Sequence, residues 1–461
     1  MRKVKIGTLT LFFLALLLPL LAFRREPSLV SEIDNRMLAE NPFCSGLPEG
    51  GDLTEAVEQY VRDRIGFRDE MILSYTVLND KLFGKMVHPM YFYGKDGYVF
   101  SHMGNTPYGE YHEAFADMTA KLQAYCESRG VPFLFTFEPS KGTVLASYLP
   151  AGIHHNADWR IGLMAALEER GVRCVDNTPL LVERSEAGEA VFNRKYDAGH
   201  WNGLGAFYGV NHMLEALSDA GLRPNRLDEF DRSEVLVTSL PVSKFPIHEM
   251  VPAFALKTEV VSRTEEFCGE VRVNPSFPEF NVVVNPARLR EGAPRTLVFQ
   301  GSYVNGQGRV FFQNALGEYI SVHNYQNVLD IDYYFNIFQP ECVIFEATEY
   351  TFGSKYFDYQ RMVDLRLNPA LDAVLDGGVQ EEACPLAVDA VTAEQGEALT
   401  VLSWNGGGDE EYAWLLLGGT FDLRRNEAGG FEATVTNEAW ERNRENLQIA
   451  ALAGDVLRVY G

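Results

Sequence analysis

The stretch Arg295–Gly306, RTLVFQGSYVNG, decides the fold. Leu297, Val298 and Phe299 are apolar without alternation, so both faces of this strand must be covered, as in a parallel sheet lying between two layers of helices. Gly301 then lets the chain turn sharply and delivers Ser302 at the strand's carboxyl end, where open α/β sheets form their crevices. One segment therefore predicts an α/β architecture and a candidate nucleophile.

Working outward, the same apolar character recurs in VPFLFTFEP (131–139), GVRCVDN (171–177) and PECVIFEAT (340–348). Helical spacing is expected from about Glu110 to Arg129, from about Trp159 to Arg170, and from the segment after His200 to about Ala220. Strands that alternate with amphipathic helices predict a mainly parallel sheet covered on both sides, a three-layer fold. Between about 230 and 290 the pattern changes to SEVLVTSL, FALKTEVVSR, GEVRVN and FNVVVN, separated by Pro and Asn, which reads as a β-rich antiparallel insertion. From about Pro385 to the end, LTVLSW, YAWLLLGGTFDLRR, FEATVT, LQIAAL and VLRVYG with Gly-rich turns predict a small all-β domain over 385–461, of the sandwich or barrel kind. The main α/β domain is expected over 26–375. Before it, LTEAVEQYVRDRIGFRDEMILSYTVLNDKLFG shows helical spacing with Thr54 as cap candidate, and MYFYGKDGYVF has the composition of a hairpin.

The chain has 461 residues, enough for two domains with proper cores. Its 64 acidic against 40 basic residues give a net charge of -24, which repels phosphate backbones and argues against nucleic-acid binding. MRKVK precedes an unbroken apolar run, Ile6–Phe23, so residues 1–25 read as a signal peptide or, preferably, an uncleaved membrane anchor. Arg2, Lys3 and Lys5 outnumber Arg24 and Arg25, so the positive-inside bias puts everything after Phe23 on the extracytoplasmic side of the cell membrane. Six cysteines stand singly without C-x-x-C, which suggests neither a zinc site nor a dithiol; Cys174 and Cys342 read as buried free thiols.

Lys195–Gly209, KYDAGHWNGLGAFYG, supplies the partners a serine needs. Asp197 lies three positions before His200, close enough to accept from one ring nitrogen and leave the other free as a base. The competing reading is that Asp197 merely caps the following helix. Trp201 and Tyr303 are candidates for substrate contact, although Trp201 reads more readily as packed under the loop. Gly301 and Asn305 are candidates for holding an oxyanion, and Glu346 and Glu349, after a buried strand, for a glycosidase-like pair or, more modestly, for binding a backbone amide or supporting the site from behind. Gly203-x-Gly205 invites a dinucleotide reading, but its spacing to Gly209 is wrong and helix packing explains these glycines better. His154 and His155 diverge as neighbours and read as a solvated turn. No cofactor and no metal is required.

Together these pieces resemble a known group. DAGHWNGLG looks like the D-x-x-H segment of SGNH hydrolases, and QGSY is similar to their serine block. A histidine that precedes the serine by about a hundred residues resembles the order in the alginate O-acetyltransferase group (AlgX/AlgJ-like) and the DHHW proteins of bacterial cell envelopes. NRMLAENP, YVRDRIGFRDEMI, YGKDGYVF, EPSKGTVLASYLP and PECVIFEATEYTF are similar to that group's motifs in the same order, over about Asn35 to Phe352. The resemblance implies an SGNH-hydrolase-like domain, Ser302, His200 and Asp197 as the catalytic set, a polysaccharide acceptor and a membrane-bound acyl-donor partner. The implied activity is extracytoplasmic O-acetyl transfer or ester hydrolysis, with an inactive glycan-binding or scaffolding protein of the same shape as the alternative. Two positions depart from the group: Ala198 stands where its aspartate usually lies, and Glu349-Tyr350 replaces its usual Glu-Arg.

Overall fold

The computed structural model describes residues 1–461 apart from 1, 27–28, 32, 34–35, 46–50, 103–106, 154, 157, 388–389 and 427. His154 and the first residue of the NRMLAENP motif, Asn35, lie outside the described residues. The centre is a seven-stranded sheet made, in chain order, of β1 (Phe133–Glu138), β2 (Cys174–Asp176), β3 (Val261–Ser262), β4 (Phe280–Val284), β5 (Arg295–Gln300), β6 (Glu318–His323) and β7 (Cys342–Thr348). Across the sheet the order is β2, β1, β7, β5, β6, β4, β3. Neighbours from β2 to β6 are parallel; β4 and β3 add an antiparallel edge. The step from β1 to β2 moves outward one way and that from β5 to β6 the other, so the crevice opens over the carboxyl ends of β1, β7 and β5.

Alternate residues of these strands enter two different cores. Phe133, Phe135 and Phe137 of β1, Phe299 of β5 and Phe345 of β7 pack with Phe115 and Leu122 of the helix Glu110–Glu127 and Leu163 of the helix Asp158–Glu169. Leu134, Val298 and Ile344 face the opposite layer, where Val210 and Met213 of the helix Gly203–Ala216 and Phe311 cover them. Fully burying such side chains contributes roughly 1.5–3 kcal/mol each. A one-residue slip of β5 would exchange its two faces and misdirect Ser302, so this covering sets the register of the site.

Several expectations change in detail. β6 is a strand the pattern reading passed over, and GEVRVN is not a strand. The expected insertion divides: Phe230–Ser239 and Pro246–Leu256 form a separate hairpin, while β3 and β4 join the central sheet. Asp52, not Thr54, caps the helix Leu53–Arg64, its carboxylate accepting from the amides of Thr54 and Glu55. The C-terminal part is a single eight-stranded sheet around Trp404, Leu415, Phe421 and Val435, and its first strand, Gln380–Cys384, pairs with the last, Val456–Tyr460. It is not wholly β, because Thr436 caps a helix over Asn437–Asn443. This sheet docks on the α/β layer through Asp422, which accepts from Tyr125 at 2.5 Å and from Arg129 at 2.9 Å.

The apolar N-terminal run is helical over Arg2–Leu21, with Ile6, Leu9 and Leu11 among its exposed residues. Among the described residues, no helix is long and apolar enough to cross a membrane. Cys126 and Cys342 are buried free thiols and Cys174 is half-buried; burial pushes the Cys342 thiol up to about 12.

Candidate active site

Ser302 stands at the end of β5 and opens a helix whose next residues, Val304–Gly308, are wound as a π-turn, a local irregularity frequent at functional sites. Its Oγ lies 2.9 Å from His200 Nε2. His200 Nδ1 lies 2.6 Å from Asp197 Oδ1, and the same oxygen accepts from the His200 backbone amide at 3.1 Å. To reach both, Asp197 adopts a left-handed φ of 52°, a conformation that Asp and Asn tolerate best among residues with a side chain. Burial alone disfavours the imidazolium, but the charge and hydrogen bond of Asp197 outweigh it and hold the His200 pKa above its ordinary value. Burial likewise opposes ionisation of Asp197, and the adjacent imidazole, with the hydrogen bonds to it, keeps that carboxyl below the usual range. An imidazole ordered in this way presents Nε2 as the base.

The helix-cap alternative for Asp197 is removed by Asn202. Its side-chain oxygen accepts from the amides of Leu204 and Gly205 at the head of the helix Gly203–Ala216, which leaves Asp197 to His200. The glycines of that helix serve packing. A methyl group on Gly205 would lie 2.3 Å from the Val191 carbonyl, and one on Gly209 would lie 2.3 Å from the Trp201 ring.

Trp201 and Tyr303, named from sequence as candidate substrate contacts, are buried and do not face the crevice (1% and 0% exposed), Trp201 packing under its loop as the competing reading had it. They clasp the segments that carry His200 and Ser302 together instead. Trp201 donates its indole N–H to the Tyr303 carbonyl at 2.9 Å, and the Tyr303 hydroxyl lies 2.6 Å from the Gly199 carbonyl and 2.9 Å from that of Pro139, with one proton between them. The neighbours of His200 on both sides are therefore tied to the neighbour of Ser302. From behind, Glu249 of the hairpin collects the amides of Arg194, Lys195 and Tyr196 at 2.6, 2.8 and 2.6 Å. The buried Lys141 ammonium, pushed down to about 7 by burial, donates to the carbonyls of Val99 and Arg194.

Glu346 and Glu349 are not a glycosidase-like pair. Glu346, fully buried, accepts from the Gly301 amide at 2.6 Å; a Cβ on Gly301 would lie 3.3 Å from Glu346 Oε1, so glycine permits that approach. Burial pushes Glu346 up to about 7 despite this bond. The Gly301 amide is thus engaged and does not serve an oxyanion. Asn305 turns its side-chain oxygen to Gln300, 3.3 Å away, and gives its amide to the Gly301 carbonyl. Glu349 accepts from the Ser140 amide at 2.6 Å and the Thr143 hydroxyl at 2.7 Å, and pairs with His155 Nε2 at 2.8 Å. Burial works against its charge, but these bonds hold its carboxyl below the ordinary range. His155 is consequently no solvated turn; it is a half-buried partner that locks the segment after β7.

Sequence reasoning missed what that segment carries. Tyr350 places its hydroxyl 2.5 Å from Ser302 Oγ and 2.9 Å from His200 Nε2. Its position directly after Glu349, at the carboxyl end of a strand beside β5, was the available signal. Among the described residues, no group of three or more His, Cys, Asp and Glu side chains is placed to hold a metal ion.

Fold and site together define an α/β protein with a serine, a histidine and an aspartate in relay at the carboxyl edge of a mainly parallel sheet. No family model matches the chain, and no curated protein matches it in sequence. Among solved structures it is similar to PatB1 of Bacillus cereus bearing a sulfonyl adduct, at 15% identity and a TM-score of 0.43, covering 60% of this chain and 97% of that one. It is similar to the O-acetyltransferase domain of Pseudomonas putida AlgJ at 15% identity and a TM-score of 0.42, covering 60% and 99%, and to a DHHW family protein from Eubacterium siraeum at 16% and 0.42, covering 62% and 98%. AlgJ and the DHHW protein belong to the groups whose motifs the sequence resembles. At these identities and scores the likeness carries no chemistry across, and the chemistry of this chain has to come from its own residues.

Proposed function

We propose that the protein is a serine-dependent O-acetyltransferase or esterase that works outside the cytoplasm on a cell-envelope or secreted polysaccharide. The observation that carries this reading is the continuous relay from Asp197 through His200 to Ser302, with contacts of 2.6 and 2.9 Å. In the reaction Ser302 Oγ attacks the carbonyl carbon of an acetyl ester while its proton passes to His200 Nε2. The imidazolium, stabilised by Asp197, returns that proton to the departing oxygen as its bond to carbon breaks. The oxyanion is served by the Ser302 amide, a first-turn donor with no intrahelical acceptor, at the positive end of its helix. A sugar hydroxyl or water then attacks the acyl-serine, gives its proton to Nε2, and releases Ser302.

The net charge of -24 disfavours approach of a strongly anionic polymer, so a neutral or cationic acceptor glycan fits this chain better. The basic residues before the apolar N-terminal run support export from the cytoplasm, and a membrane-bound acyl-donor partner rests on the family resemblance alone. The test is full-length protein in detergent given 4-nitrophenyl acetate, compared with Ser302→Ala and His200→Ala. A burst equal to one acetyl group per chain, located on Ser302 by peptide mass and absent from both variants, is expected. A folded wild type that forms no acetyl-serine rules the reading out.

A further inference from the structure

The reacting atoms carry one hydroxyl too many. With its Nδ1 proton committed to Asp197, neutral His200 offers a single lone pair at Nε2, and both Ser302 Oγ and the Tyr350 hydroxyl lie 2.9 Å from it. The two hydroxyls are themselves 2.5 Å apart, so one donates to Nε2 and the other donates to its neighbour. In acyl transfer by a serine, the side of the acyl group that faces Nε2 is where the leaving oxygen departs and the incoming oxygen enters, since both exchange a proton with that nitrogen. The oxyanion forms on the side turned away from the histidine, toward the Ser302 amide. A hydroxyl within hydrogen-bond distance of Nε2 and Oγ at once therefore stands in the place of the incoming nucleophile and away from the oxyanion.

We infer that Tyr350 is a specificity-determining residue that holds the nucleophile's position against water, and yields it to a glycan hydroxyl whose remaining contacts supply the binding energy to displace the phenol. The inference rests on the acyl-serine reading above and decides, within it, between transfer and hydrolysis. The surroundings fit this role. Glu349, one residue earlier, is fixed by Ser140, Thr143 and His155, so the backbone that carries Tyr350 is firmly held while its own side chain is only half-buried. Burial holds the phenol pKa above its ordinary range, against the opposing hydrogen bond from Ser302, so the group occupies the site as a neutral hydroxyl. Water lacks the additional contacts of a polymer and has to displace the phenol unaided.

The atoms balance without a further reagent. The acceptor O–H bond breaks, its proton goes to Nε2, its oxygen bonds to the acyl carbon, and the acyl bond to Oγ breaks as Nε2 returns the proton to Ser302. Only the identity of the incoming oxygen distinguishes transfer from hydrolysis.

Tyr350→Phe tests this, because it keeps the ring and removes only the oxygen, opening a water-sized space beside Nε2. Full-length wild type and variant are acetylated with 4-nitrophenyl acetate, freed of excess reagent, and followed by intact mass as the acetyl-serine decays in water. The expected result is decay about tenfold faster in the variant, the factor set by the one net hydrogen bond that water no longer has to replace. Structural damage would slow the reaction, so an acceleration is not its signature. Decay in the variant that is unchanged or slower overturns the role of Tyr350 and leaves the acyl-serine reading standing. A wild type that forms no adduct on Ser302 overturns both.

Discussion

Replacing Asp197 by Asn isolates the charge in the relay. Asn is the one substitution that keeps both the shape and the tolerance of a left-handed backbone, whereas Ala at φ 52° would add about 1–2 kcal/mol of backbone strain. The imidazolium formed during attack loses a charge-assisted bond, observed at 2.6 Å, that contributes about 1.5–3 kcal/mol, or roughly 10- to 150-fold in rate. If the Asn amide turns its N–H₂ toward Nδ1, the ring proton is driven to Nε2 and the base is blocked, which raises the loss toward about 10⁴-fold. The pH profile moves as well. In the wild type the base is available only above the His200 pKa, which Asp197 holds above its ordinary value of about 6.5. In the variant the Asp197 charge no longer opposes burial, so the acid limb of kcat/KM shifts to lower pH while the plateau falls.

Stability follows the same pair. The raised His200 pKa contributes stability below about pH 6.5 that is lost as pH rises through its folded value. The lowered Asp197 pKa contributes stability above about pH 3.9 that is lost as pH falls through its folded value. Denaturant titrations should therefore place the largest difference between wild type and variant from about pH 4 to 6.5. The assay is the pH dependence of 4-nitrophenyl acetate turnover with an NMR titration of His200. A variant that retains wild-type turnover within about threefold, with its acid limb unmoved, would show that Asp197 does not act through His200.

Gly209→Ala drives a methyl group into the Trp201 ring and should cost about 1–3 kcal/mol in urea denaturation, with reduced acetylation of Ser302 because Trp201 adjoins His200. Asp422→Ala leaves Arg129 without its carboxylate and should destabilise the chain by about 3–5 kcal/mol, with calorimetry resolving the C-terminal sheet as a separate, earlier transition. Glu346 has its pKa raised to about 7 by burial, so its contribution to stability is full below its unfolded value and is lost as pH rises through about 7. Glu346→Gln should flatten the stability profile across that window, measured as the denaturation midpoint against pH.

The central sheet was legible because β1, β5 and β7 are apolar on both faces and alternate with amphipathic helices, the pattern of covered parallel strands. Ser302 and His200 were legible because each follows from local geometry, a turn after a strand and an Asp-x-x-His spacing. The rest depends on contacts between distant segments. Nothing local distinguishes Glu346, which binds an amide, from a reacting carboxylate, nor marks Tyr350 as the residue that meets both Ser302 and His200. Tyr303 was misread as a substrate contact because an aromatic beside a candidate nucleophile has the same sequence signature whether it faces a crevice or a core. His155 was misread because its partner, Glu349, lies 194 positions away.

The clasp formed by Trp201 and Tyr303 also bears on when the protein becomes reactive. Trp201 and Tyr303, which it joins, are 102 positions apart, so their bond forms only by closing a long loop. Loops of that length close late, after local helices and turns. During refolding the serine should therefore gain its base only as the last tertiary contacts form, and recovery of acetylation should lag behind recovery of helical signal. A nascent or partly opened chain would expose a serine that still lacks its neighbouring imidazole.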